Sequence, residues 1–316
     1  MEGNAKPLAP AASPENRKLQ PNQVGVIGAT SLVGTCLLPL LSQASWQVTA
    51  FTRQAVGGHG DAVKWQQLPI AELPSSSSIA PLPTREKHLP LWICVAPIWA
   101  LPEHFGLLET HNARRVVVLS STSLFTKENS PGQAEQALAH RLTAAEAQVQ
   151  AWAKNHGIEW LILRPTLIYG LGLDKNIAEI TRFIRRFGFF PIFGKANGLR
   201  QPIHATDVAK ACVAALMKIE ITNRSYNISG GEIITYREMV SRIFSTMDRK
   251  CRLLPVPLWV FRLTVLLLRP LPRYRQWTST MAERMNHDLV FDHSDATRDF
   301  NFSPRGFLLS NEDIPF

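Results

Sequence analysis

From residue 23 onward the chain alternates short, continuous apolar runs with longer stretches in which apolar residues recur every third or fourth position. Residues 24–27 form the first such run. They are followed by Leu32, Val33, Cys36, Leu37 and Leu40 at helical spacing. This reads as strand, turn, helix, with Pro39 kinking the helix or marking its last turn because proline lacks a donor. Residues 46–51, 91–96, 115–120 and 159–165 are further strand-length runs, nearly all apolar, as expected of parallel strands covered on both faces. Residues 133–156 and 208–219 predict helices, and 226–228 a short strand before Gly230-Gly231. Over residues 176–190, Ile177, Ile180, Phe183, Ile184 and Phe187 share one helical face, with Arg182, Arg185 and Arg186 mostly off it. Residues 71–89, with four consecutive serines and several prolines, predict loop. Alternation at this pitch implies βαβ units and an α/β fold: a doubly wound parallel sheet with a smaller C-terminal lobe. The expected division is a disordered tail over 1–22, a sheet domain over 23–170 and 201–230, and a substrate lobe over 171–200 and 231–316.

Composition narrows the function classes. With 316 residues, 45% hydrophobic and 19% charged, the chain falls in the soluble globular range. Its four cysteines, Cys36, Cys94, Cys212 and Cys251, have no metal-ligand or disulfide-framework spacing, so a cytoplasmic protein without a metal is expected. Residues 1–22 contain no apolar core of signal-peptide length. The formal charge of +9 is partly local, since residues 249–275 hold seven Lys or Arg and no acid. That cluster is interleaved with an apolar run and carries no nucleic-acid motif, so no nucleic-acid partner is expected. Residues 253–268 are apolar but shorter than the ~20 residues of a bilayer crossing. Packing as lobe helices is the preferred reading of this segment, ahead of membrane-surface contact through 253–275 or acceptance of a hydrophobic substrate.

The first turn carries candidate chemistry. A dinucleotide pyrophosphate needs backbone N–H donors at close range and the positive end of a helix. Gly28-Ala29-Thr30-Ser31-Leu32-Val33-Gly34 lies between the first strand and the first helix, with glycine at both outer positions. Ser31 replaces the usual middle glycine; it is small, can cap the helix and can donate to a phosphate. Gly28, Thr30, Ser31, Leu32, Val33 and Gly34 are therefore the expected cofactor cradle of a Rossmann domain, against the alternative of a glycine-rich turn with no ligand. The second strand ends Phe51-Thr52-Arg53 with no acid before Asp61, which favours NADP over NAD and makes Arg53 the expected partner of the 2′-phosphate. The alternative is a solvated arginine at a strand end.

Five segments in order resemble the extended and atypical short-chain dehydrogenase/reductases, which include nucleotide-sugar epimerases and dehydratases. They are Ile27–Gly34, Leu119–Phe125, Leu163–Gly170, Arg200–Ala209 and Tyr226–Gly231. The resemblance implies that Thr122 polarises a substrate oxygen, that Ala96, Pro97, Ser120 and Pro165 line the cofactor, and that Arg200 meets a nucleotide-sugar diphosphate. A surface salt bridge is the alternative for Arg200. Active relatives also carry a Tyr–Lys pair four residues apart on the next helix for proton transfer. Residues 134–150 contain neither type, and aligning the following glutamate on Glu146 puts Leu138 and Leu142 at the pair's positions. Thr122, His140, Tyr169 or water are the remaining proton sources, His140 reading more simply as helix surface. His204 and Asp207 are expected to hold the following helix rather than touch substrate. The expected function is an NAD(P)-dependent oxidoreductase or epimerase-like enzyme acting on a carbonyl or hydroxyl substrate, with a nucleotide sugar the first class to test. The alternative is a non-catalytic NADP-binding redox sensor or assembly factor. Homodimers are common among such relatives.

Overall fold

The computed structural model describes residues 23–53, 63–68, 88–128, 130–257 and 284–315. The expected tail over 1–22, most of the 71–89 loop, Asp61 and residues 258–275 lie outside the described residues.

Strand β1 (Gln23–Ile27) leads into helix α1 (Leu32–Gln43), then β2 (Gln47–Thr52) and β3 (Val63–Gln67). The chain crosses to β4 (Leu91–Cys94), continues through α2 (Phe105–Thr110), β5 (Arg115–Leu119), α3 (Ser123–Lys127), α4 (Gln133–His156) and β6 (Glu159–Pro165), and then reaches β7 (Ile168–Tyr169). Next come α5 (Ile177–Phe187), β8 (Phe190–Phe193), β9 (Leu199–Arg200), β10 (Ile203–His204), α6 (Ala205–Met217) and β11 (Arg224–Ile228). β12 (Ile234–Thr235), α7 (Tyr236–Thr246), β13 (Leu253–Val256) and α8 (Ser294–Phe300) follow.

Seven strands form one parallel sheet in the order β11-β6-β5-β4-β1-β2-β3. β1 sits between β2 and β4, so the direction of winding reverses there. Helices run opposite ways from this point and leave a crevice beyond the strand ends, where doubly wound sheets bind ligands. β5 is buried at all five positions, with the apolar run from Val116 to Leu119 covered on both faces. One face of the sheet packs on α1 and α6 through Leu37, Leu41, Val208 and Cys212; the other packs on α4 through Leu142, Val149 and Trp152. Pro39 lies inside α1, and the helix continues past it for four residues.

A separate apolar cluster joins Ile177, Ile180 and Ile184 of α5 to Met239, Val240, Ile243 and Phe244 of α7, with Tyr169 and Phe307. Buried Arg115 ties α6 down by donating to the carbonyls of Ala215, Lys218 and Ile221 at 2.6–2.9 Å, satisfying acceptors at and beyond the helix end. The helix predicted over 176–190 ends earlier, because Gly188 takes a left-handed φ of 75° and Phe190 enters β8. Among the described residues, no helix is long and apolar enough to cross a membrane, and no cluster of three or more His, Cys, Asp or Glu could hold a metal.

Candidate functional site

The glycine turn occupies the reversal point of the sheet. Gly28 has φ +85°, and a Cβ there would stand 2.4 Å from the Ala96 backbone nitrogen, so only glycine lets the ends of β1 and β4 approach. A Cβ on Gly34 would sit 2.4 Å from the carbonyl oxygens of both Gly28 and Ala29. Ser31 caps α1, its Oγ accepting from Gly34 N at 3.1 Å, and it donates to the Val95 carbonyl at 3.4 Å. The substitution for glycine thus fixes the helix start, while Leu32 and Val33 open a first turn whose N–H groups have no intrahelical acceptor. This cradle suits an anionic pyrophosphate. Ser120, just past β5, adds a buried Oγ with no hydrogen-bond partner among the described residues. Arg53 is exposed at the end of β2, and Pro97 is exposed beyond β4.

A cavity of about 660 Å³ opens beside the ends of β5 and β6. Thr122 and Arg200 both line it, with Lys127, Glu135, Arg284 and Asp288 among the charged and polar wall. Thr122 is buried; its N–H and its Oγ1 both donate to the Pro165 carbonyl, at 3.1 and 3.2 Å. The hydroxyl's lone pairs remain to accept from a ligand hydroxyl. Below this contact, Arg164 grips buried Glu146 through Nε (3.0 Å) and Nη2 (2.5 Å), locking β6 to α4 with bidentate geometry.

Arg200 is placed differently from its expected role. It is 3% exposed, and its Nη atoms donate to the carbonyls of Leu199 and His287 at 2.7 Å and of Arg284 at 2.5 Å. Burial pushes this guanidinium down to about 10. Among the described residues Arg200 makes no salt bridge, and three of its four Nη hydrogens are committed to backbone carbonyls, which holds the 284–287 turn that forms the cavity wall.

The candidate proton sources separate equally clearly. His140 is exposed on α4 and does not line the cavity, and Leu142 and Leu138 pack into the core beneath that helix. Tyr169 is fully buried in the second cluster; its hydroxyl donates to the Leu308 carbonyl at 3.2 Å, and burial raises its pKa above the ordinary phenol range. Among the described residues, no tyrosine lines the cavity.

The residue missed in the sequence is Lys127, at the end of α3. It is half-buried on the cavity wall, and its ammonium has no ion pair or hydrogen bond among the described residues. Burial lowers its pKa, Arg284 lowers it further, and Glu135 opposes them. Glu135 itself is taken by Arg284 and by Ser130, whose hydroxyl donates at 2.5 Å. Lys127 was hard to find because the groups that tune it come from α4 and from a turn more than 150 residues later.

His204 caps α6, its Nδ1 accepting from Thr206 N at 3.1 Å, so its Nε2 carries the proton donated to Asp313 at 2.9 Å. Asp207, also on α6, is gripped by Arg305 through Nε at 2.9 Å and Nη2 at 3.1 Å. Both residues thus pin the C-terminal residues to this helix.

Residues 105–229 match the model of the NAD dependent epimerase/dehydratase family. A UDP-glucose 4-epimerase of Vibrio cholerae is 28% identical over 119 residues, 38% of this chain and 36% of the relative. The mitochondrial NADH dehydrogenase [ubiquinone] 1 alpha subcomplex subunit 9 of Arabidopsis thaliana is 26% identical over 118 residues, 37% of this chain and 29% of the relative. The chain thus spans about a third of the length of these curated relatives. Among solved structures, UDP-glucuronic acid 4-epimerase from Bacillus cereus, in complex with NAD, superposes with a TM-score of 0.64 at 15% identity, covering 92% of this chain and 93% of that one. At that identity the likeness establishes the fold, a Rossmann-type α/β architecture shared with epimerases.

Proposed function

We propose that this chain, with an epimerase/dehydratase pattern over residues 105–229 on a Rossmann-type fold, is an NAD(P)-dependent oxidoreductase or epimerase acting on a hydroxyl or carbonyl group, with nucleotide sugars as its substrate class. The observation that carries this reading is the Gly28 to Gly34 cradle at the reversal of the sheet, together with a polar cavity at the ends of β5 and β6 whose wall includes Thr122. When bound there, a nicotinamide dinucleotide supplies the acceptor or donor of hydride.

The chain's own residues would divide the remaining work. The N–H groups of Leu32 and Val33 would hold the pyrophosphate at the start of α1, with Gly34 keeping the turn tight, and Ala96, Pro97, Ser120 and Pro165 would border the cofactor. Thr122, with its proton committed to Pro165, accepts from a neighbouring hydroxyl of the substrate and so orients the reacting one. Lys127, as the neutral amine, takes that hydroxyl's proton as hydride leaves the same carbon; in reverse its ammonium returns the proton. Low dielectric and the neighbouring Arg284 favour the neutral amine needed for the forward step.

Arg53 supports NADP, because an exposed guanidinium at the end of β2 can meet a 2′-phosphate. The Bacillus cereus epimerase, in complex with NAD, supports the other choice. Calorimetric titration with NADH and NADPH separates them. If Arg53 reads a 2′-phosphate, Arg53→Glu weakens NADPH binding about tenfold or more, as loss and reversal of one charge-assisted contact should, and leaves NADH binding unchanged. Binding of neither nucleotide removes the functional reading altogether. Turnover is then sought with UDP-glucose and UDP-N-acetylglucosamine.

The similarity to a respiratory-complex subunit favours a second reading, a dinucleotide-binding protein that supports an assembly. Tight cofactor binding with no turnover of any nucleotide sugar tested would support it.

A further inference from the structure

We infer that the end of α5 and the neighbouring β8–β13 edge form a docking face for an anionic membrane surface. Arg182, Arg185 and Arg186 are exposed on α5, and Phe187 at its tip is 51% exposed. Phe183, Phe187 and Phe189 form a group with ring centroids 4.6–6.4 Å apart, and the Arg186 guanidinium lies 5.4 Å from the Phe187 ring. β13 runs parallel to β8 alongside, with Leu254 opposite Pro191 and 50% exposed. Arg249 donates to the Ile184 carbonyl at 3.2 Å, which brings exposed Lys250 and Arg252 to the same edge.

Charge and apolar surface occur together here in the arrangement that suits a headgroup boundary. No Asp or Glu occurs from residue 180 to 206, nor from 249 to 282. The nearest acids in sequence are Glu179, at the start of α5, and Asp248. Basic side chains near a leaflet gain from its negative surface potential, while aromatic rings enter the boundary layer. A single-stranded polynucleotide would use the arginines and stack bases on the phenylalanines, but would leave exposed Leu254 without a role. Asn286 Nδ2 donates to the Phe193 carbonyl at 2.9 Å, joining the turn that carries Arg284 to the end of β8. A bilayer on this face therefore lies beside the cavity wall.

Vesicle sedimentation of the full chain tests the proposal, using phosphatidylcholine alone and phosphatidylcholine with about a third phosphatidylglycerol. The full chain should sediment with the anionic vesicles, weakly or not at all with the neutral ones, and progressively less as salt rises. The triple variant Arg182→Glu, Arg185→Glu, Arg186→Glu should bind at least tenfold more weakly, and Phe187→Ser a few-fold more weakly, both keeping the wild-type circular dichroism and melting temperature. These α5 positions are exposed, so the variants test the face without disturbing the core. The proposal fails if wild type ignores anionic vesicles, if the triple variant binds them as well as wild type, or if the face instead binds single-stranded RNA with higher affinity than vesicles.

Discussion

The cofactor cradle and the cavity beside it are built by opposite means. The cradle is one stretch of seven residues, Gly28 to Gly34, shaped by backbone conformation and by the close approach of β4. The cavity draws its wall from residues 121 to 291 and depends on side chains reaching across the fold: Glu146 to Arg164, Arg200 to the 284–287 turn, Glu135 to Arg284. A contiguous turn can be recognised from spacing alone, whereas a gathered wall exists only after folding. The comparison also separates their expected failures: damage to the turn should appear in cofactor affinity, damage to the wall in stability and turnover.

The largest effect is expected at the pair beneath the wall. Glu146→Leu leaves the largely buried Arg164 guanidinium without its bidentate partner, and losing one member of such a pair costs about 3–5 kcal/mol. Urea unfolding should show that loss, and the midpoint should recover partly when Arg164→Met is added, since both charges are then gone. An unchanged midpoint in Glu146→Leu would mean that the wall does not depend on long-range pairs as argued.

Next in size is Lys127. Substitution of a proton-transfer group typically lowers turnover 100-fold or more, so Lys127→Met should do this at unchanged NAD(P)H affinity. Lys127→Arg should not rescue the rate, because arginine keeps the charge but cannot give up its proton. Rescue by arginine would recast Lys127 as an electrostatic anchor. Normal turnover in both variants would return the proton to water or Thr122.

Both halves contain elements that the sequence hides for physical reasons. β3 is Val-Lys-Trp-Gln-Gln at the sheet edge, where one side faces solvent and no apolar run is needed. By contrast, α7 carries Met239, Val240, Ile243 and Phe244 at helical spacing behind the capping residue Thr235, whose side chain accepts from Glu238 N at 3.1 Å; the pattern was present and went unread. Tyr169 and His140 had suitable chemistry, but one is sealed in the second apolar cluster and the other faces solvent. Arg200 lines the cavity, yet three of its five N–H groups are spent on backbone carbonyls. Residue type and linear spacing locate a backbone-built site well, and say little about which atoms of a buried arginine remain free.

The smallest of the three effects concerns how the gathered half is tied shut. Asp313 is buried; burial alone would raise its pKa, but hydrogen bonds from His204 Nε2 and from the Ser310 backbone and hydroxyl overcome this and hold it at about 2. An unfolded aspartate titrates near 3.9, so the folded state favours the ionised form. The associated stability, about 2 kcal/mol, is complete above about pH 4 and is lost as pH falls toward 2. Asp313→Asn should therefore lower the neutral-pH melting temperature while flattening its decline between pH 4 and 2. A wild-type acid slope retained in full by the variant would show that other carboxylates govern it. In that case the C-terminal residues would owe their attachment chiefly to the Arg305–Asp207 pair, and disrupting that pair should then loosen the cavity side of the molecule while leaving the glycine turn intact.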